Sequence, residues 1–327
     1  MKNNFPDNKS TPIIQRVIIA VALILALFSI FILVYARVNE NCADRYSFVN
    51  KRFACFEKHT VDKKSYAELK TRLVEYIQKE KEAGNVDIMS LYFRDLESGP
   101  TMGINERIDF VPASLLKLPN AMILLRLTEE GELDIEEQKL FYTGESEAEI
   151  KSDISFSTAS VADLIFKSLV YSDNLANSLL VGYIKSIDNG RNLFLEIDRD
   201  LGTIAVNDTV TPIVNTKGYG AIFRMLYNSS FLNPQNSEKL LEIMSQSVDT
   251  AGLAAGVPKG TRVAHKFGQR NLNEDNKQLH DCGIVYYPEN PYLLCIMTRG
   301  KDVEKLHEII TVISAKVYSE FDSRKLK

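Results

Sequence analysis

Phe110-Val111-Pro112-Ala113-Ser114-Leu115-Leu116-Lys117-Leu118-Pro119 is the stretch on which the fold of this chain turns. A small residue precedes Ser114 and an apolar run follows Lys117, so the stretch reads as the start of a buried helix from Ala113 to Leu127. Positions i and i+3 share a helix face, which brings the Lys117 amine to the Ser114 hydroxyl. A hydroxyl is a weak nucleophile until a base takes its proton, and a desolvated lysine can do so near neutral pH. Ser-x-x-Lys is also common by chance, and a lysine on an exposed helix face is simply solvated. What accompanies the pair decides between these readings.

Two further polar clusters follow. Ser172-Asp173-Asn174 stands before an apolar helix reaching about Ile184, and alone it reads as a turn or helix cap. His265-Lys266-Phe267-Gly268 ends a strand-like segment over 261–268, and alone Lys266 reads as a surface strand residue. Around them, Tyr66, Leu69, Leu73 and Ile77 carry helical spacing over 62–82. Strands are read at 86–93 and 101–104 across Ser98-Gly99-Pro100. Ser160-Val161-Ala162-Asp163 opens a capped helix reaching Leu169, and 217–228 and 237–247 are helical. Strands at 279–287 and 292–298 precede an amphipathic helix from Asp302 to Phe321. The order predicts an α+β fold: the terminal segments form one antiparallel sheet flanked by helices, with an all-helical subdomain beside it.

Val17 to Tyr35 is an uncharged apolar run; at helical rise its nineteen residues span roughly 28 Å, about one bilayer core. Lys2, Lys9 and Arg16 precede it, which places the N-terminus in the cytoplasm and the rest outside. The division is a cytoplasmic tail over 1–16, a single-pass cell-membrane anchor over 17–36, a stalk over 37–60 and a domain over 61–327. A cleaved signal peptide is the other reading, with Val34-Tyr35-Ala36 as its small-x-small site. The 327 residues are 45% hydrophobic and 25% charged, with a net charge of −4, an ordinary globular balance. Lysine and arginine are scattered, so nucleic acid is not an expected partner.

Four cysteines form two local pairs, Cys42/Cys55 and Cys282/Cys295. Outside the cytoplasm each pair can form a disulfide, and buried free thiols are the equal alternative. No Cys-x-x-Cys or His-x-x-x-His spacing occurs, so no metal site is expected. No cofactor is needed by the chemistry read here.

Residues 62–321 resemble the class A β-lactamase and penicillin-binding-protein family, whose motifs are S-x-x-K, S-D-N and K-T-G, in this order. Asp208-Thr209-Val210-Thr211-Pro212 looks like the segment closing that family's omega loop. The resemblance implies an acyl-enzyme at Ser114, with Lys117 hydrogen-bonded to its Oγ as base or relay. Ser172 would pass a proton to the leaving nitrogen. Asn174 would hold a substrate amide, and Lys266 and Gly268 would line the carboxylate site. The amides of Ser114 and Gln269 would form the oxyanion hole. The implied substrates are β-lactams, hence antibiotic resistance, or D-Ala-D-Ala peptides of peptidoglycan. A non-catalytic binding protein of the same fold is the third reading. Asp173 reads as structural, and His265 as either packed or tuning Lys266.

The chain departs from the pattern twice. Phe267 stands where the third motif has Thr or Ser, a hydroxyl that helps grip a carboxylate; Arg270 is the nearby substitute. The omega loop is short: Thr203 to Asn207 holds no carboxylate, while Glu196, Asp198 and Asp200 precede it. The glutamate that activates the deacylating water in class A enzymes has no counterpart there.

Overall fold

A computed structural model describes residues 11–50, 66–142, 157–194 and 212–325. The chain divides into two compact units. One is Met1–Ser47 with Lys51–Lys58, and the other is Phe48–Asn50 with His59–Lys327. In the first, helix α1 runs from Thr11 to Arg45. Its Gln15–Ile32 stretch is long and apolar enough to cross a membrane, by length and composition. Helix thus continues into the range read as a stalk.

The second unit holds a five-stranded antiparallel sheet. Its strands are β1 (Ile88–Asp95), β2 (Thr101–Ile104), β5 (Val263–Asn273), β6 (Asn276–Val285) and β7 (Tyr292–Gly300), in the order β2-β1-β7-β6-β5. β1 pairs with β7, so the two ends of the domain meet in one sheet, as the element order predicts. Helices α2 (Ala67–Glu82) and α8 (Val303–Lys325) cover one face. Leu69, Leu73 and Ile77 of α2 and Leu306, Ile310, Ile313 and Val317 of α8 meet Leu91, Phe93, Leu294 and Ile296 of the sheet. Each such side chain contributes roughly 1.5–3 kcal/mol by burial. Tyr66 caps this core, its hydroxyl donating to Asp95 Oδ2 at 2.6 Å.

The other sheet face carries the helical block. Ala113–Leu116 is a 3-10 turn leading into α3 (Lys117–Glu129), followed by α4 (Val161–Val170), α5 (Asn174–Ile187), α6 (Thr216–Tyr227) and α7 (Pro234–Met244). α3 is the buried helix expected, but Ser114 sits in the 3-10 turn before it. Ala113 has φ 50°, outside the helical region, and Leu115 N–H bonds Pro112 O at 3.0 Å, so α-helix begins only at Lys117. Ser160 and Asp163 form the capping box read from sequence. Gly220 lets α6 approach the sheet: a Cβ there would lie 2.8 Å from Tyr92 Cδ1. β3 (Lys139–Tyr142) and β4 (Ser157–Ser160) pair in a small second sheet that no alternation pattern announced.

Other boundaries differ from the sequence reading by a few residues. β5 and β6 run on as a hairpin to Asn273 and Asn276, where polar side chains hid the continuing strands. Cys282 stands opposite Cys295 across β6 and β7, and the two are joined as a disulfide. Of the other pair, Cys55 and the side chain of Cys42 lie outside the described residues.

Part of the expected stalk belongs to the domain. Phe48 and Val49 N–H both donate to Glu238 Oε2, at 2.8 and 2.9 Å. Tyr286 OH donates to Phe48 O at 3.0 Å, and Arg262 lies over both the Phe48 and Tyr286 rings. Asn50 N–H bonds Tyr227 O. A phenyl ring and three backbone donors removed from water make this segment a clasp rather than a spacer. Phe48→Ala should lower stability by no more than the docking energy of the clasp, on the order of 2–3 kcal/mol. Thermal denaturation of the soluble domain measures it, and an unchanged midpoint would show the clasp to be energetically idle.

Candidate active site

Three elements meet where the helical block joins β5. The turn before α3 brings Ser114 and the first residue of α3 is Lys117, the α4–α5 junction brings Ser172 and Asn174, and β5 brings Lys266. Lys117 is 3% exposed and Lys266 fully buried. Lys117 Nζ donates to Ser172 O, to Ser172 Oγ at 3.1 Å and to Asn174 Oδ1 at 2.8 Å. Lys266 Nζ donates to the same Ser172 Oγ at 3.0 Å. One hydroxyl therefore bridges two buried amines. Among the described residues no hydrogen bond joins Lys117 to Ser114 Oγ. The amine expected on Ser114 is instead saturated by the Ser172–Asn174 junction, whose acceptors outnumber the single hydroxyl.

Burial pushes the Lys117 amine down to about 8, against the opposing pull of the Asp173 carboxylate. Burial, and then the like charge of Lys117, pushes Lys266 down to about 7. The repulsion between the amines is mutual, so the pair sheds a proton near neutrality. Lys266 Nζ also lies 4.1 Å from the centroid of the Phe267 ring, a cation–π contact where the family pattern has a hydroxyl. Arg270, the sequence-based substitute, is exposed on β5.

The backbone at the site is strained at two points, Ala113 with φ 50° and Ser172 with φ 54°. Left-handed conformations cost a non-glycine residue energy and persist only where the surroundings impose them. Asp173 supplies part of that imposition: it caps α5 through Ala176 N–H at 3.0 Å and accepts Tyr142 OH at 2.6 Å. Burial would raise its pKa, yet the Tyr142 hydroxyl and the helix N–H groups hold it below its ordinary value. Its role is structural, as the sequence implied.

Gly268 allows β5 to lie against the Ala113–Leu116 turn. A Cβ there would stand 3.0 Å from Pro112 O and 3.3 Å from Leu115 N. Gln269, next on the strand, is exposed at this junction, so the two backbones proposed for an oxyanion hole belong to touching elements. His265 points away from Lys266, as successive strand residues do. Its Nδ1 lies 2.8 Å from Asp281 Oδ1, and Asp281 Oδ2 accepts Leu253 N–H at 2.8 Å. Burial opposes charge on His265, but Asp281 outweighs it and raises the imidazole pKa. His265 is thus a packed, ion-paired residue.

Sequence reasoning missed Asp281, Tyr142, Gln278 and Tyr219. The available signal was Gln278, His280 and Asp281, polar residues leading into the apolar end of a strand. Tyr219 OH donates to Leu115 O at 2.8 Å, and Gln278 Oε1 accepts Val111 N–H at 3.1 Å. The short omega loop, with Asp208 to Thr211, Glu196, Asp198 and Asp200, lies outside the described residues. No group of three metal-ligating side chains occurs among the described residues.

Compared by sequence with curated proteins, the chain matches none. Solved structures share the fold at low identity. PBP-A, as the acyl-enzyme of a point mutant with penicillin G, is 19% identical with a TM-score of 0.65, over 81% of this chain and 100% of that one. TLA-3 extended-spectrum β-lactamase is 18% identical with a TM-score of 0.67, over 79% and 99%. A β-lactamase from Chitinophaga pinensis is 16% identical with a TM-score of 0.64, over 76% and 99%. The model of the beta-lactamase enzyme family matches residues 69–321, most of the chain, and the chain therefore belongs to the beta-lactamase enzyme family.

Proposed function

We propose that the protein is a serine hydrolase that forms an acyl-enzyme at Ser114 with β-lactams, its domain held outside the cytoplasm by α1. The observation that carries this reading is the Ser172 hydroxyl shared between Lys117 and Lys266, both with depressed pKa values. Such a pair holds a free amine near neutral pH, which is what a serine nucleophile requires. Ser114 Oγ attacks the lactam carbonyl and its proton passes to neutral Lys117. Apo hydrogen bonds at such sites are often open and close with substrate. The C–N bond then breaks, and the leaving nitrogen takes a proton from Ser172 Oγ, which is refilled from a lysine. Asn174 Oδ1 is taken by Lys117, which leaves its amide N–H groups for a substrate carbonyl. The Ser114 and Gln269 amides would stabilise the oxyanion.

Deacylation separates this from a second reading. The loop has no glutamate to activate water, and Phe267 offers a ring instead of a hydroxyl. The missing glutamate favours a D-Ala-D-Ala transpeptidase or carboxypeptidase-like enzyme with a longer-lived acyl-enzyme, whereas Phe267 weakens a carboxylate grip that both substrate classes share and does not separate them. A binding protein of the same fold would need no poised amine.

Intact-mass spectrometry over time after exposure to penicillin G should show one adduct, absent in Ser114→Ala. Rapid return to the unmodified mass marks β-lactamase turnover. Persistence of the adduct, with D-Ala release from a muropeptide, marks the peptidase. No adduct with any acylating probe would defeat both. The acylation rate should rise with pH between about 7 and 8 and then level, because the depressed lysines lose their protons there. An ordinary lysine would shift that rise above pH 10, and stopped-flow acylation across pH 5–10 distinguishes the two.

A further inference from the structure

Residues 110 and 111 approach the nucleophile turn in extended form, and each is gripped from a different side. Phe110 exchanges both backbone hydrogen bonds with Val214, at 2.8 and 2.9 Å. Consecutive extended residues present their N–H and C=O groups to opposite sides, so those of Val111 face away from Val214. There they meet side chains, not backbone. Val111 N–H donates to Gln278 Oε1 at 3.1 Å, and His280 Nε2–H donates to Val111 O at 3.0 Å. Gln278 and His280 are two apart on β6, on one face of the sheet, and both are fully buried. Their spacing matches the N–H and C=O of a single extended residue, so the two side chains act as a strand edge.

The partners determine the hydrogen positions. Val111 O can only accept, so His280 carries its proton on Nε2, and Val111 N–H can only donate, so Gln278 presents Oε1. Burial holds the His280 imidazole neutral, with its pKa pushed down to about 4. The Phe110 ring packs edge-on against His280 at 5.3 Å, with the Arg299 guanidinium 5.6 Å from its centroid. Pro112 follows directly, then Ala113 at φ 50°, then Ser114. Beyond Ser114, Tyr219 holds Leu115 O. The strained elbow is therefore fixed at both ends by buried polar side chains from other elements.

We propose that Gln278 and His280 are positioning residues for the nucleophile, clamping Val111 so that the strained Ala113 turn holds Ser114 in line with Lys117 and Ser172. This rests on Ser114 being the acylated residue. Neither side chain touches that hydroxyl, so their removal acts on the rate of acylation and not on substrate affinity. A displacement of about 1 Å at a reacting atom costs up to ~100-fold in rate.

The variants Gln278→Leu and His280→Phe keep a side chain of similar shape and remove the acceptor or the donor, while His280→Gln retains an N–H donor. Acylation by a fluorescent penicillin and amide hydrogen exchange across 110–118 are measured on each in the full-length protein. The expected result is acylation slowed about tenfold or more at unchanged half-saturating concentration, with faster exchange confined to 110–118. His280→Gln should recover most of both. Unchanged exchange over 110–118 in Gln278→Leu and His280→Phe would overturn the clamp, as would exchange lost equally across β5 and β6. So would wild-type acylation rates in both variants. If the wild-type protein takes no acyl group at all, the reading of Ser114 fails instead, and hydrogen exchange alone decides the clamp.

Discussion

Two lysine ammonium groups and one serine hydroxyl share a buried seam, and satisfying them constrains everything nearby. Taking an ion from water costs several kcal/mol, even after relaxation of the surroundings. The seam meets that cost in three ways. Acceptors converge from one junction: Ser172 O, Ser172 Oγ and Asn174 Oδ1. The Phe267 ring faces the Lys266 ammonium. The remainder is met by proton loss, which the depressed lysine pKa values express. The same desolvation that threatens stability makes a base available.

That arrangement needs a turn, a helix junction and a strand held to within hydrogen-bonding distance, and the supporting structure is directed there. Asp173 fixes the junction through α5 and Tyr142, while Gly268 admits β5 to the turn. Ala113 and Ser172 both carry left-handed backbone, at about 1–3 kcal/mol each. The apolar core between the sheet and α2 and α8 lies on the opposite sheet face. It supplies the rigid platform against which the strain is held, without entering the site itself.

The resemblance to the class A β-lactamase and penicillin-binding-protein pattern accounts for the three polar clusters and their order. It does not account for Phe267 or the loop without a carboxylate. Each of these bears on a different stage of the reaction. In the proposed reaction the aromatic ring would alter what lies beside Lys266 when substrate binds, whereas the missing carboxylate would alter how an ester at Ser114 is released. The bridge through Ser172, which the proposed mechanism assigns to the step between them, joins both amines.

Sequence alone determined the sheet assembled from both ends of the domain, the buried helix after Ser114 and the three clusters of the site. It could do so because hydrophobic period, caps and turn residues are local signals. Ser114, Lys117, Ser172, Asn174 and Lys266 could be picked out as candidates because each falls in a short motif. Which atom each amine touches was not legible. Lys117 turns to Ser172 and Asn174 rather than to Ser114, and His265 pairs with Asp281. The grip of Gln278 and His280 on Val111, and of Glu238 on Phe48 and Val49, joins residues far apart in the chain. Tertiary structure decided these, since a buried polar group must find whichever partner folding brings within reach, and no local pattern encodes which partner that is.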